Sequence, residues 1–552
     1  MSTLIPNVTP IAIDSLFNIA QIKSNISLLQ ECTSDSVTVV LYGSIDTDEL
    51  EKAHRKFEPD APLAKLVESN AMRRRLIVAA VPLEAENVST AEYEQPRLGT
   101  GSPYTFLLRK APRSYGQLNS DSEFWGKFVL QLSHSEPSIR HAVSAISLCY
   151  RDVESSLRDP AGYVNANPEA QKEWNKAIKS LSARIQAHPN SSLVPLVCCL
   201  LFTCIEFLKG NAESSMLHIQ NGFKILATQV RDGDTNSDRR SNFSSNDLAS
   251  IKNHIVPMFS RLNILCTLAG RTTPQLYSTT TRTESPPESL ADSRRQLFGI
   301  SDTCFRFIRE TSPKVAMLQA DFQDIIDQTK LQIRLDAWHA QLHELLGRLH
   351  SADKPPNREA LNLLLVQYKV VYIWIRVCTT IEESATDSYH AEFEELVHYA
   401  EQVTRNKEGR MATPQPMSFD IHILGPLFYT ALKCRHPKIR RRALEMLQMA
   451  PRREGLWNAH HAYTTAKRVI ELEEQCLNSQ GLPDETSRLH GLHLPDDESR
   501  VYKIGETSAD VQILPHNIVP SPACPGTLEV VFRTKPWGLS GGYREIKEYL
   551  KL

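Results

Sequence analysis

The sequence predicts an all-α protein: an irregular multi-helix array of antiparallel helix pairs, with minor β strands near the N- and C-terminal regions. Three observations carry this expectation. Apolar residues recur at helical spacing through most of the chain. Turn residues fall between the periodic segments rather than inside them. Runs of β-type residues are confined to "SVTVVLYG" at 36–43 and "TLEVVFRT" at 527–534.

Taken in order, the segment 135–156 opens with Ser135 as a cap and Glu136 and Pro137 in the first turn. Ile139, Val143, Ile146, Tyr150 and Val153 then share one stripe. In 167–185, Asn167 caps, Pro168 opens, and Trp174, Ala177, Ile178, Leu181 and Ile185 line one face. The segment 191–210 is apolar nearly all round. Its window "LVPLVCCLLFTCI" is thirteen residues long, short of the roughly 20 that a membrane span needs, so it reads as a buried helix. The turn at Gly210 and Asn211 is so short that the next helix, 212–229, runs back antiparallel. Further helices are expected at 247–269, 315–350, 360–381, 391–405 and 457–476. The stretch "LNLLLVQYKVVYIWIRVC" at 361–378 is apolar enough to be central to the core. Residues 231–247, 279–293, 409–418 and 478–526 lack periodicity and read as polar loops.

Composition narrows the function. The 552 residues are 41% hydrophobic and 23% charged, with a formal net charge of −2. A chain so balanced does not coat nucleic acid or membrane by bulk charge, so any electrostatic partner is met locally. The N-terminus lacks the basic and apolar regions of a secretory signal. Eleven cysteines are scattered without a C-x-x-C pair, the pattern of reduced, buried thiols in an intracellular protein.

No catalytic constellation emerges, and no metal or cofactor is expected. "GLSGG" at 538–542 fits G-x-S-x-G, but a nucleophile elbow needs a later acid and His, and no His follows Ser540. "GTGSPY" at 99–104 lacks the third Gly of a dinucleotide fingerprint. His339 and His343 stand one helical turn apart, yet "HELLG" has Gly347 where a zinc helix would place its second His. His460 and His461 are adjacent and point apart on a helix.

One stretch is more pointed. "RHPKIRRRALEMLQMAPRREGLW" at 435–457 carries seven Arg and Lys against two Glu. Pro437 opens a helix and Pro451 closes it, with Ile439, Ala443, Met446, Leu447 and Ala450 on one face. Lys438, Arg441 and Arg442 take the opposite face and Arg440 the side. With Arg452 and Arg453 they form a candidate basic face, for which a solvated exterior, phosphate contact and nuclear-import recognition all stay open. Arg73–Arg75 is similarly ambiguous.

This stretch resembles the late segment of the regulatory domain of fungal zinc binuclear cluster transcription factors, where a C-R-x-P-x-I-R-R-x-A helix leads into P-R-R-E-G-L-W. Two further blocks agree in order. "SEFWGKFVLQLSHSEPSIRHAVSAISLCYRD" at 122–152 resembles the F-W … L-Q-x-S-H-x-E-P-x-[IV]-R-H-A block. "LVCCLLFTCIEFLKGNAESSMLHIQNGFKIL" at 196–226 resembles the L-x-x-C-L-L-F … G-N … H-[IL]-x-x-G block. The matching residues include Ser135, Glu136, Pro137, Arg140, His141, Gly210, Asn211, His218, Gly222, Pro451, Gly455 and Trp457. Those with a physical reading are architectural: a helix start at Ser135–Pro137, a tight turn at Gly210–Asn211, close packing at Gly222, and an interhelical angle set by Pro451 and Gly455.

The resemblance implies a variable N-terminal region at 1–105, a helical regulatory domain at 106–478, and a polar linker with a strand and helix extension at 479–552. It implies a nuclear regulator of fungal transcription, not an enzyme, often of metabolic or secondary-metabolite genes, working through proteins such as a sibling factor or a second copy. A small-molecule effector is compatible with such a domain, but no residue places it. The family reads DNA with an N-terminal six-cysteine zinc cluster, whereas this sequence has only Cys32 before Cys149. Direct specific DNA binding is therefore not expected. Two other readings stay open: a non-transcriptional helical scaffold, and a DNA-binding factor whose zinc-cluster exon is missing from this sequence.

Overall fold

The computed structural model describes residues 124–156, 167–234, 245–268, 286–353, 356–405, 422–474, 494–505 and 526–551, the short segments 26–28 and 41–43, and positions 418 and 524. Arg73–Arg75, Gly99–Tyr104 and most of the 1–105 region lie outside the described residues. Within them the fold is helical, with short antiparallel strands near the two ends. At the N-terminal end β1 (Ile26–Leu28) pairs with β2 (Leu41–Gly43), the second inside the expected strand run.

A π-helical turn at Phe124–Phe128 leads into α1 (Val129–Ser135) and α2 (Pro137–Ser156). Ser135 differs from expectation. It ends α1, where its hydroxyl donates to the Leu132 carbonyl, and does not cap α2. Glu136 is the break between the two helices, with its carboxylate on Arg184. The stripe Ile139, Val143, Ile146, Tyr150 and Val153 is buried as expected. It faces α3 (Pro168–Ala187) and α4 (Leu193–Lys209). The Asn167 side chain caps α3 by accepting from the amides of Glu169 and Ala170.

α4 is the most enclosed helix, with Cys199 as the single incompletely buried position between Leu193 and Leu208. It ends at Gly210, whose φ of 73° is left-handed. The Asn211 side chain then accepts from the Ser214 amide and starts α5 (Ala212–Asp234). α6 (Ser245–Ser250), a π turn at Ile251–Ile255 and α7 (Val256–Leu268) follow. Gly222 of α5 meets Phe259 of α7 so closely that an added Cβ would sit 2.1 Å from the ring.

The second half differs from the pattern reading. α8 (Leu290–Ala316), capped by Ser289, lies for the most part between the loop expected at 279–293 and the helix expected from 315, in residues for which no element was expected. Chain reversal at 317–321, with Leu318 at φ 58°, separates it from α9 (Phe322–Ser351). An Asp321/Asp324 capping box starts α9. α10 (Arg358–Val377) packs on α8, α9 and α11 (His390–Thr404). It is long and apolar enough to cross a membrane, but about half of it is buried inside the fold, as in a core helix. A 3₁₀ segment at Glu383–Tyr389 joins α10 to α11.

α12 (Leu424–Lys433), α13 (Pro437–Met449), the small antiparallel pair β3 (Arg453–Glu454) and β4 (Trp457–Asn458), and α14 (Ala459–Glu474) follow. The C-terminal sheet has the order β5 (Val501–Gly505), β6 (Thr527–Thr534), β7 (Arg544–Lys551), all antiparallel. No α-helix occurs among the described residues after 494, where a helix was expected in the extension. The "GLSGG" run is the turn between β6 and β7, with Gly538 at φ 81°.

Candidate functional site

The basic segment is where the structure departs most from helical-wheel geometry. Arg440 was expected at the side of α13. It is fully enclosed, because α14 ends beneath it with two adjacent carboxylates. Arg440 donates to Glu473 at 2.8 Å and Glu474 at 3.2 Å, and to the Ala431 carbonyl at 3.2 Å. Arg435, in the α12–α13 link, is equally buried, pairing with Glu473 at 2.9 Å and Glu383 at 3.1 Å. Lys433 reaches the same Glu383 at 2.6 Å. Arg441, expected on the wet face, folds onto Glu474 at 2.7 Å with its side chain 14% exposed.

These seven groups form an alternating chain: Lys433, Glu383, Arg435, Glu473, Arg440, Glu474, Arg441. Cations stand at both ends. Each interior charge has an opposite partner on either side, so the desolvation penalty is offset by short, charge-assisted hydrogen bonds. Arg435 and Arg440 hold the Glu473 carboxyl down to about 2 despite its burial. The Glu473 carboxylate also accepts from the Val501 amide at 3.0 Å, tying β5 to the chain.

The remaining basic residues divide. Arg442 pairs with Glu401 at 2.9 Å on α11. Lys438 and Arg452 are exposed. Arg453 is half-buried with its guanidinium over Gly210, where an added Cβ would lie 2.8 Å away. Burial, with Arg452 alongside, lowers its pKa. The candidate basic face is therefore corrected: Lys438 and Arg452 are exposed, Arg442 forms a surface pair, Arg453 is half-buried, and Arg440 and Arg441 belong to the buried chain.

The turn after α13 has its own chemistry, which the sequence reading missed. Pro451 stops α13, and the buried Glu454 turns its carboxylate back onto the start of α12. There it accepts from the amides of His422 at 3.1 Å, Ile423 at 3.1 Å and Leu424 at 2.9 Å. Three convergent donors and the helix dipole favour an anion at this helix start, although burial pushes the Glu454 pKa up. Gly455, at φ 55°, lets the chain reverse against Phe207 and Leu265. Trp457 then lies over Gly425 and edge-on to Phe428. A Glu before Gly-Leu-Trp was a visible signal, but its target lies about 30 residues upstream.

The other motif residues are placed separately. Arg140 donates to the carbonyls of Ser133 and His134, closing the α1–α2 break. His141 meets Glu173 of α3 at 2.7 Å. His218 is buried beside Trp174 and Phe202, and burial drops its pKa to about 3. The rings of His339 and His343 sit 4.5 Å apart, and His339 stacks on Tyr368. No group of three metal-ligating side chains is found among the described residues.

Residues 108–471 match the family model described as "Fungal specific transcription factor domain". The chain is 19% identical over 484 residues to the aspercryptin biosynthesis cluster-specific transcription regulator atnN of Emericella nidulans, a match covering 70% of this chain and 77% of that protein. It is 27% identical over 116 residues to the transcription regulator lscL of Purpureocillium lilacinum, covering 20% of this chain and 27% of that one. No solved structure matches.

Proposed function

The chain belongs to the family with a fungal specific transcription factor domain, and from that membership we propose that it regulates RNA polymerase II transcription of a biosynthetic gene cluster in a fungal nucleus. The observation that carries the reading is the extent of the family match, which runs across the helical body from 108 to 471. The relatives' descriptions, one a biosynthesis-cluster regulator and one a transcription regulator, support the same class.

The regulatory unit is assigned to 106–478, with 479–552 as an extension of it. In support, Asp497 accepts from Ser384, Arg500 pairs with Asp387, and Val501 reaches Glu473, so the late segment closes over the 3₁₀ turn and the charge chain. The domain acts through protein partners, a sibling factor or a second copy. The engagement of Arg435, Arg440 and Arg441 with carboxylates supports this, since phosphates would have to displace buried, hydrogen-bonded pairs. Lys438 and Arg452 are assigned to importin or phosphate contact, as the exposed members of the basic segment.

The test is deletion of the gene and complementation with a tagged copy, reading transcripts and localisation together. The reading expects a set of adjacent biosynthetic genes to change expression and recover with a nuclear tagged protein. An unchanged transcriptome with a tagged protein excluded from the nucleus would indicate a non-transcriptional scaffold.

A further inference from the structure

A cavity of about 160 Å³ opens where α8, α10, α12 and β5 converge. Its walls are aromatic. Trp374 stacks on Tyr429 with ring centroids 4.9 Å apart, Phe305 stands edge-on to Trp374, and Tyr502 and Tyr543 close the sheet side. The volume is close to the roughly 150 Å³ known to accept one benzene ring.

Its charge is unbalanced in one direction. The buried chain from Arg441 ends at Lys433, which lines the cavity, and Lys433 shares its carboxylate, Glu383, with Arg435. Four cations therefore alternate with three carboxylates. Across the cavity Lys503 lies over the Tyr543 ring at 5.1 Å, and Lys535 lies over the same ring at 4.9 Å. Burial, with Arg533, Lys535 and Lys433 nearby, lowers the Lys503 pKa. Arg533 bonds Glu545 through Nε, while its two terminal nitrogens are buried without a partner among the described residues. Arg309 also lines the wall, and Glu382 brings a second carboxylate. Tyr429 is held protonated by burial and brings a hydroxyl donor.

We propose that this cavity is an effector site for a single-ring aromatic carboxylate, its ring in the space bounded by Trp374, Tyr502 and Tyr543 and its anion between Lys503 and Lys433. An anion there extends the alternation by one step beyond Lys433. It thereby touches the chain that fastens α12, α13 and α14, which gives the ligand a route to the proposed regulatory surface. That consequence rests on the transcriptional reading. The binding itself does not, and it is measured on purified protein alone.

The experiment titrates the purified 552-residue protein with benzoate and with its neutral isostere benzamide, by calorimetry and ligand-observed NMR. Benzoate is expected to bind about tenfold more tightly, the margin of one charge-assisted contact. Lys503→Met is expected to erase that preference while leaving benzamide binding in place, and Ser312→Trp to block both ligands. Should Ser312→Trp lower the unfolding temperature, tryptophan emission serves instead: benzoate quenches the wild type, and the quench disappears in Trp374→Phe. The proposal is overturned by absence of saturable benzoate binding, by benzamide binding as tightly, or by a preference that survives Lys503→Met. A quench that persists in Trp374→Phe also overturns it.

Discussion

Arg440 and Glu473 lie 2.8 Å apart with neither side chain exposed. Thirty-three positions separate them in sequence, and their pairing locks the basic helix onto the end of α14. Breaking one side of a buried pair strands the other charge, at a typical cost of about 3–5 kcal/mol. Arg440→Met is therefore expected to lower the unfolding free energy by an amount in that range. Lys438→Gln, two positions earlier and exposed, is expected to shift stability by less than about 0.5 kcal/mol. Equal effects from the two, read by urea unfolding, would place Arg440 at the surface.

Glu454 holds three backbone amides at the start of α12. Glu454→Ala leaves those donors buried without an acceptor, which costs about 1–3 kcal/mol. Hydrogen exchange at His422, Ile423 and Leu424 is expected to accelerate selectively. Uniform acceleration along the chain would mean that the cap role is wrong.

Two glycines are expected to respond with opposite signs. Gly222→Ala drives a methyl into Phe259 and is expected to cost about 1–3 kcal/mol, with partial recovery in Gly222→Ala/Phe259→Leu. Gly347, midway along α9, has nothing within 4 Å of an added Cβ. Gly347→Ala is expected to stabilise by about 0.5–1 kcal/mol. Thermal unfolding of the three variants checks the ordering.

Acid is expected to act in two steps. His218 falls from 6.5 to about 3 on folding, so the unfolded chain takes up that proton first. Stability is full above 6.5 and is lost as pH falls through the window down to 3, at about 1.4 kcal/mol per unit once well inside it. Glu473 falls from 4.5 to about 2, so its contribution is present above 4.5 and lost below. The deficit of Glu473→Gln relative to wild type is therefore expected to shrink only below about pH 4.5. A deficit that shrinks already between pH 7 and 5 would contradict the assignment.

The helices that were legible are those whose burial follows their own periodicity. The stripe of α2, the Asn167–Pro168 start of α3 and the unbroken apolar face of α4 all declare themselves locally. α8 was hidden because Gly299 and Pro313 interrupt the pattern, while the capping Ser289 sits in a polar run that resembles a loop. β5 was lost in a polar stretch and β7 alternates weakly, because their stability comes from pairing with β6. The charge chain was illegible for a related reason. Arg440 looks like a surface residue until Glu473 and Glu474, far along the sequence, are brought beneath it. Spacing rules describe neighbours on one helix, not carboxylates supplied by another.

The most direct measurement is binding of the purified 552-residue protein to pooled genomic DNA fragments across a salt series. With the arginines of 435–441 held by carboxylates, binding is expected to be weak, indifferent to sequence and lost by physiological salt. Sequence-selective binding that survives physiological salt would contradict the account and make the basic segment a DNA reader.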